Sequence, residues 1–485
     1  MKKYKIKKKL SKRINLSDII DAEIKSTSLR QGFSNKIISQ LKSIRKFDEN
    51  SHKDFTSIPF VTIDGENSKD FDDAVYCEVN DNNTRIMVAI ADVSFFVEKN
   101  DPIDLEARKR GNSFYFPDRV IPMLPEKLSN DICSLIPRKI RACVICEIQI
   151  KGDKIEKYQF HRGKIKSVAR LTYKEVDEIQ SDKKSKYFDL VENLFHALDI
   201  LVKFSEKRGK LKFNNQEYEV NFKNSEEFEF KKKPNYKSYR LIEELMVLAN
   251  NVTANLLFSK GVKSAFRNHD RPKKEKVVEL KKALIDRQIK NNRDFNTQSD
   301  FNFYLQNISS KDFNFLNDLM LRTQSKAYYD INNIGHFGLG LEYYTHFTSP
   351  IRRYSDLIVH RDLLEIIFSK NSNKNSKELM EYLTNQEKRG DDLERKVIER
   401  ACSLYIKRKK IYYFNGIVDG IEDFGIFIKA IDLPFSGLAR FRHISRAISK
   451  NSIQLGQQVN FKIIKNNINN GKILIGNVKI IGSNE

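Results

Sequence analysis

Cysteine is scarce in this chain of 485 residues. The five present, Cys77, Cys133, Cys143, Cys146 and Cys402, form an odd and scattered set, which argues against a disulfide framework and for a reducing compartment. Cys143 and Cys146 have the spacing of a metal or redox pair, but the run around them, ACVICEIQI, is apolar and strand-like. Odd spacing on a strand sends the two thiols to opposite faces, so both are read as packing. No apolar run approaches the ~18 residues that span a bilayer, and no signal-peptide core is present. The expectation is a soluble, cytoplasmic protein without a membrane partner.

Acid is also the minority charge. The chain holds 64 Asp and Glu against 87 Lys and Arg, a formal +23, which suits a polyanionic partner. Length alone suggests about three domains. Against this basic background, Phe60 to Val79, FVTIDGENSKDFDDAVYCEV, gathers Asp64, Asp70, Asp72 and Asp73 within ten positions. Alternating β-formers flank them, Phe60-Val61-Thr62-Ile63 and Ala74-Val75-Tyr76-Cys77, so the acids sit on the connection between two strands. Two carboxylates about 4 Å apart repel by about 1 kcal/mol in water and about 4 kcal/mol at an effective dielectric near 20, so the set needs a cation or captured protons. No His or Cys stands among them, which favours Mg²⁺ or Mn²⁺ over Zn²⁺. Gly65 directly after the first Asp, and no glutamate to close a calcium loop, exclude an EF-hand. A solvated acidic turn is the competing reading.

Residues 1–55 read as a basic N-terminal arm or linker, opening MKKYKIKKKLSKR with eight basic residues in thirteen and no acid, followed by helical-looking polar sequence from Ser17 to Phe47. Such an arm touches phosphates or is simply solvated. The run from Arg85 reads as a buried strand ending at Asp92. Residues 111–137, rich in Pro, Asn and aromatics, form a shaped loop carrying Tyr115. Beside a metal site, a tyrosine there offers a flat face to a nucleobase, worth roughly 1–3 kcal/mol per base, or else it is core. Helical spacing holds from Lys174 to Arg208 until Gly209, and Phe213 follows with the same two readings. Residues 235–260 form a strong helix on which Glu243 and Glu244 are either solvated or turned to the site.

Farther on, Ser349 and Pro350 predict an N-cap and first helical position, with Ile351, Tyr354, Leu357 and Ile358 on the buried side. Arg352 and Arg353 then fall in the first turn, where each opposes the helix dipole by about 0.3–1 kcal/mol, pointing to a bound anion or to a surface salt bridge. Residues 371–410 read as a charged helical linker without a strong apolar stripe. From 411 to 482 short β segments with Gly at the turns predict a small barrel, with Phe424, Phe427, Phe441 and His443 as its stacking face or part of its core.

Taken together, TIDGENSKDFDDAVY, VAIADVS, GNSFYFPDRVIPMLPEKLSNDICSL, ARLTYKEV, RLIEE and HFGLGLEYYTHFTSPIRRYSDLIVHR resemble the ribonuclease II and ribonuclease R exoribonucleases, which carry the RNB catalytic domain. The resemblance implies an α+β fold, with a mixed α/β RNB catalytic domain over 56–370 and an OB-fold barrel of the ribosomal-protein S-one type over 411–482. It also implies processive 3′ to 5′ hydrolysis of single-stranded RNA to nucleoside 5′-monophosphates by a monomer using Mg²⁺. Carried over by position, Asp64, Asp70 and Asp73 hold metal, and Asp72 acts on the attacking water or completes the metal site. Arg352 stabilises charge on the scissile phosphate, and Tyr115 and Phe213 clamp the 3′ bases near Glu244; the residue pattern itself adds Arg353, Phe424, Phe427 and His443 as expected RNA contacts. Two departures stand out: Phe95 replaces the usual His after ADVS, and only the arm stands where cold-shock-type barrels usually precede the catalytic domain. A catalytically silent RNA-binding protein on the same scaffold is the alternative. Target RNAs and association with a helicase or ribosome stay open.

Overall fold

The computed structural model describes residues 14–80, 83–213, 216–224, 226–307, 310–369, 375–444 and 453–481. The Lys-rich opening therefore lies outside the described residues. The segment after it is no arm. Helix α1 (Leu16–Ser26) starts at Asn15, whose side chain and that of Asp18 satisfy each other's backbone N–H in a capping box, and α2 (Asn35–Lys42) comes next. Leu16, Ile19, Ile20 and Ile24 fall on one face of α1 and are fully buried. At roughly 1.5–3 kcal/mol each, they hold this segment far more firmly than Lys-rich composition suggests.

Strands β1 (Lys53–Asp54), β2 (Val61–Asp64), β3 (Asp73–Asn80) and β4 (Asn83–Ala91) come next. After them come α3 (Val93–Phe96), capped by Asp92, and α4 (Pro102–Arg110), capped by Asp101 with Pro102 in its first turn. The shaped loop contains a two-residue hairpin of β5 (Phe114–Tyr115) and β6 (Val120–Ile121). Then β7 (Ile140–Lys151), β8 (Lys154–Lys166) and β9 (Ala169–Thr172) complete a seven-stranded sheet ordered β1-β8-β7-β4-β3-β2-β9. Its interior pairs are antiparallel and its edge pairs, β1 with β8 and β2 with β9, parallel. Both faces of β7 are covered, so Cys143 and Cys146 are buried free thiols.

Helices α5 (Tyr173–Ser181) and α6 (Phe188–Lys207) are followed by the hairpin β10 (Tyr218–Phe222) and β11 (Phe228–Lys232). Helix α7 (Lys237–Ser259) has the length and apolar content to cross a membrane, a span that the sequence reading did not expect. Most of its apolar window, 67%, is buried, so it serves as the core helix, packed against α6 and β4. Strand β12 (Phe266–Asn268), helices α8 (Lys274–Asp286), α9 (Gln298–Asn307) and α10 (Ser310–Thr323), and strand β13 (Tyr328–Asp330) lead to α11 (Tyr354–Ile367).

The 371–410 segment is also more than a linker. Helix α12 (Lys377–Lys409) packs against α1, β13 and β11, burying Leu393, Val397, Ala401 and Leu404 with the α1 stripe. A buried ion pair, Arg400 Nη1 to Glu23 Oε1 at 2.6 Å, ties the two helices. Strands β14 (Tyr413–Glu422), β15 (Gly425–Ala430), β16 (Ser436–Arg440), β17 (Gln458–Asn467) and β18 (Lys472–Ile480) close a five-stranded barrel. The α8–α10 unit steadies it through Arg322 to Asp419 at 2.7 Å and an ion pair between Lys429 and Asp318.

Candidate active site

The sheet places the four aspartates. Asp64 ends β2 and Asp73 begins β3, so Asp70 and Asp72 ride on the connection between antiparallel neighbours. That connection is laced from both sides. Ser134 Oγ accepts the Phe71 N–H at 3.0 Å and donates to the Lys69 carbonyl at 2.8 Å, while the Ala91 N–H donates to the Asp72 carbonyl at 2.8 Å. Arg170 donates to the carbonyls of Gly65 and Glu66 at 2.5 and 2.6 Å. A solvated turn would have few such ties.

Asp72 is 4% exposed, and its Oδ1 accepts the Ile351 N–H at 2.8 Å. Its Oδ2 lies 3.4 Å from Arg352 Nε. Arg352 also donates to Ser349 Oγ at 2.9 Å, and its side chain is 45% exposed. Tyr115, 40% exposed, donates its hydroxyl to Asp70 Oδ2 at 2.7 Å. Burial and the neighbouring Asp70 charge hold that phenol well above its ordinary range.

Burial, with the charges of Asp73 and Asp70, pushes the Asp64 carboxyl up to about 8, against the pull of Arg352 and Arg170. Burial likewise raises Asp73 to about 6 and Asp72 well above the carboxylate range, with Arg352 opposing both. Asp64 Oδ2, Asp72 Oδ2 and Asp73 Oδ2 are buried without a hydrogen-bond partner. Buried oxygens of this kind normally find a donor, so three together in an all-oxygen set fit a hard divalent cation. Among the described residues no three acidic, His or Cys side chains are already drawn into a closed cage. Asp70 Oδ2 is held by Tyr115 and Asp72 Oδ1 by Ile351, and Asp72 Oδ2 has an ion contact with Arg352 but no hydrogen bond, so the fit rests first on Asp64 Oδ2 and Asp73 Oδ2.

Helix α11 begins at Tyr354, five residues after the predicted cap. Ser349 to Arg353 form a turn instead, because Asp72 takes the Ile351 N–H and Arg353 is drawn into extended backbone by a bridge to Asn112. Ser349 does not cap a helix; its own N–H donates to Asp356 Oδ1 at 2.8 Å. Of the two arginines only Arg352 reaches the carboxylates. Arg353 pairs with the buried Asp356 at 2.8 Å, and against the cost of burial that charge, followed by the Tyr329 phenol oxygen, holds its guanidinium ionised.

The remaining candidates are spread out. Glu244 is buried, and its carboxylate already receives Arg208 Nη2 at 3.2 Å and Lys210 Nζ at 2.8 Å, so it anchors the turn ahead of Phe213 rather than facing open space. Glu243 is solvated apart from Lys210 at 2.5 Å. Phe213 is half-buried against the α8–α10 cluster. Phe424 and Phe427 stand 56% and 36% exposed on the β14–β15 hairpin, edge to face at 6.3 Å. His443 is half-buried, while Phe441 leans on the barrel core.

Two neighbours of the site escaped local patterning. Tyr173 is raised by burial and by the charges of Asp73 and Asp64. Parallel pairing puts Thr172 of β9 opposite Asp64, which no local pattern reveals, although the run ARLTYKEV contains the residue. Glu394 of α12 lies against the Tyr115 backbone, its carboxyl raised by burial. Phe95, the departure after ADVS, is 3% exposed and packs edge to face on Phe47 and His52 of the N-terminal segment. His52 Nε2 meets Asp92 Oδ2 at 3.4 Å and Arg162 Nε donates to the same oxygen at 2.6 Å, so one of the polar partners of Asp92, His52, comes from the segment read as an arm.

The model of the RNB domain matches residues 52–369. The chain belongs to the RNB family. Ribonuclease R of Escherichia coli (strain K12) is 33% identical over 461 residues, covering 87% of this chain and 56% of its own. The chain therefore spans little more than half the length of that curated relative. Mycoplasma genitalium RNase R, solved free and in complex with ribose methylated single-stranded RNA, superposes with a TM-score of 0.88 at 27% identity over 95% of this chain and 78% of its own. Yeast Ssd1, described as a pseudonuclease, shares the fold alone, with a TM-score of 0.73 at 16% identity over 93% of this chain and 58% of its own. The fold is the mixed α/β scaffold with a closed barrel that the sequence motifs implied.

Proposed function

We propose that the chain is a metal-dependent exoribonuclease of the cytoplasm, hydrolysing single-stranded RNA from its 3′ end to nucleoside 5′-monophosphates with Mg²⁺, or Mn²⁺ in its place. Residues 56–370 form the catalytic domain, and 411–482 the RNA-binding barrel. One observation carries the reading: Asp64 Oδ2 and Asp73 Oδ2, at the two ends of one connection, are buried without a hydrogen-bond partner, and beside them Asp72 Oδ2 has only the ion contact to the exposed Arg352 guanidinium, with the exposed Tyr115 on the rim. Asp64, Asp70 and Asp73 hold the cation, which when bound supplies the charge that lowers the pKa of water and steadies the leaving oxygen. Asp72 accepts a proton from the attacking water and aligns Arg352. Arg352 meets the charge growing on the scissile phosphate, its pose set beforehand by Asp72 and Ser349. Tyr115 presents its ring to the terminal base.

The pseudonuclease on the same fold keeps a silent RNA binder as the second reading. Asp64, Asp70, Asp72, Asp73 and Arg352, all present here, favour catalysis. The test is incubation of 5′-labelled single-stranded RNA with Mg²⁺ or with EDTA. Stepwise shortening from the 3′ end only with Mg²⁺ supports the proposal, whereas binding without shortening supports the silent form.

A further inference from the structure

A cavity of about 210 Å³ lies behind the β5–β6 hairpin. Its walls come from the loop after α1, the end of α4, β5 and the first half of α12. Successive strand residues face opposite ways, so Phe114 lines this cavity while Tyr115 reaches Asp70.

The charge in it is one-sided. Arg30, Lys109, Arg110 and Arg389 line it, and no carboxylate does. Glu106 from behind reaches Arg110 Nε at 3.1 Å and Arg30 Nη1 at 3.4 Å, so one acid faces four cations. Arg110 is fixed by the carbonyls of Arg30, Gly32 and Pro122, and Arg389 by that of Thr27. Several cations in one low-dielectric cleft focus a field that attracts anions. The Tyr382 ring is 38% exposed beside them, its hydroxyl tied to the Lys109 carbonyl at 2.6 Å and to Gln386 Nε2 at 2.6 Å. Fixed cations beside a held aromatic face are what a single-stranded polynucleotide needs.

The cavity also shares a wall with the carboxylate site. The Ser113 N–H donates to the Arg352 carbonyl at 2.9 Å, the Tyr354 N–H donates to the Gly111 carbonyl at 2.9 Å, and Asn112 bridges to Arg353. Asn112 and Phe114 face the cavity from the same short run that ends in Tyr115. We infer that this cavity is an upstream RNA subsite, taking a backbone phosphate 5′ of the nucleotides at the carboxylates, with the attached base on Tyr382. It rests on the exoribonuclease reading and adds to it a phosphate site that the N-terminal helices help build.

The test uses the full chain with Arg30→Gln and Lys109→Gln combined, and separately Tyr382→Leu. Arg30 and Lys109 are exposed, so the fold is spared. Binding of a trinucleotide and of an oligomer of about 16 nucleotides is measured in EDTA over a KCl series. For the long oligomer the slope of log K against log salt flattens by about 0.7 for each phosphate no longer neutralised, so binding at 0.1 M relative to 1 M falls about fivefold for each such phosphate. Tyr382→Leu weakens the long oligomer with the slope unchanged. Trinucleotide binding, and its hydrolysis with Mg²⁺, stay at the wild-type level in both variants. Equal affinities of variants and wild type at both lengths, or equal losses at both lengths, would overturn the subsite while leaving wild-type RNA hydrolysis standing. A double variant that loses adenosine 5′-monophosphate but keeps the long oligomer's salt slope would mark a free-nucleotide site and overturn it too. A wild-type protein that neither binds nor shortens RNA overturns the functional reading beneath it.

Discussion

Replacing Asp72 by Asn changes one charge and almost no volume, where the two oxygens have different tasks. Oδ1 accepts the Ile351 N–H at 2.8 Å, and an amide oxygen does so equally well, so the 349–353 turn keeps its anchor. Oδ2 lies 3.4 Å from Arg352 Nε, and there the substitution sets an NH₂ group against a guanidinium that has no lone pair to receive it. Arg352 loses its alignment, and the site loses one negative charge. Removing one preorganised group of this kind costs about 10²–10³ in turnover, or ~2.7–4 kcal/mol. RNA affinity, carried by cations elsewhere, changes little. Stability does not fall, since burial already disfavours the Asp72 charge. Single-turnover hydrolysis of labelled RNA, binding in EDTA and thermal unfolding measure the three quantities separately. Turnover within about tenfold of wild type, or affinity and turnover lost together, would refute the division of labour between the two oxygens.

Tyr115→Ala should lengthen the limit product on a labelled oligomer, because the ring exposed beside Asp70 no longer holds the last base; an unchanged ladder makes it a packing residue. Cation binding should tighten from pH 6 to 8 and release protons, since Asp64 and Asp73 hold theirs to about 8 and about 6, and calorimetry in buffers of different ionisation heat detects the release or its absence. Far from that site, burial lifts Asp362 from 3.8 to about 7, although Ser264 and Asn375 donate to it at 2.6 and 2.8 Å. Between about pH 4 and 7 the folded chain keeps a proton that the unfolded chain has released, so stability falls as pH rises, by about 4 kcal/mol in all. Asp362→Asn should flatten that fall in denaturant titrations at pH 5 and 8, and parallel curves would count against it. Gly340→Ala, at φ +64 where an added Cβ would run into the Arg208 carbonyl oxygen, should cost about 2–4 kcal/mol and disturb the Glu244-anchored turn, read as a lowered Tm with an altered product ladder.

The acidic connection was legible because its flanks alternate with period two and four carboxylates cannot sit together unassisted. The barrel was legible in its glycines and short apolar runs. The helix start at Ser349 misled because its local signals are sound, and two distant partners, Asp72 and Asn112, override them. In the N-terminal segment the helical pattern was visible, but the burial of Leu16, Ile19, Ile20 and Ile24 was not, because it depends on a helix nearly 400 residues later. Nothing local marks Arg30, Lys109 and Tyr382 as neighbours, since three separate segments bring them to one cavity.

Helix α12 gives the molecule a built-in ruler. Its 33 residues, rising about 1.5 Å each, run roughly 50 Å in all, passing the cationic cavity at Tyr382 to Arg389 and the Tyr115 backbone at Glu394 before reaching Cys402 and Ile406 in the barrel core. Distance and phase along it are therefore coupled. Inserting one residue between Glu394 and Cys402 would swing the barrel about 100° around the helix axis, whereas inserting seven would nearly restore its bearing and carry it about 10 Å outward. On the proposed function, the shortest RNA that reaches barrel and carboxylates together is set in helical turns, and a seven-residue insertion should lengthen it.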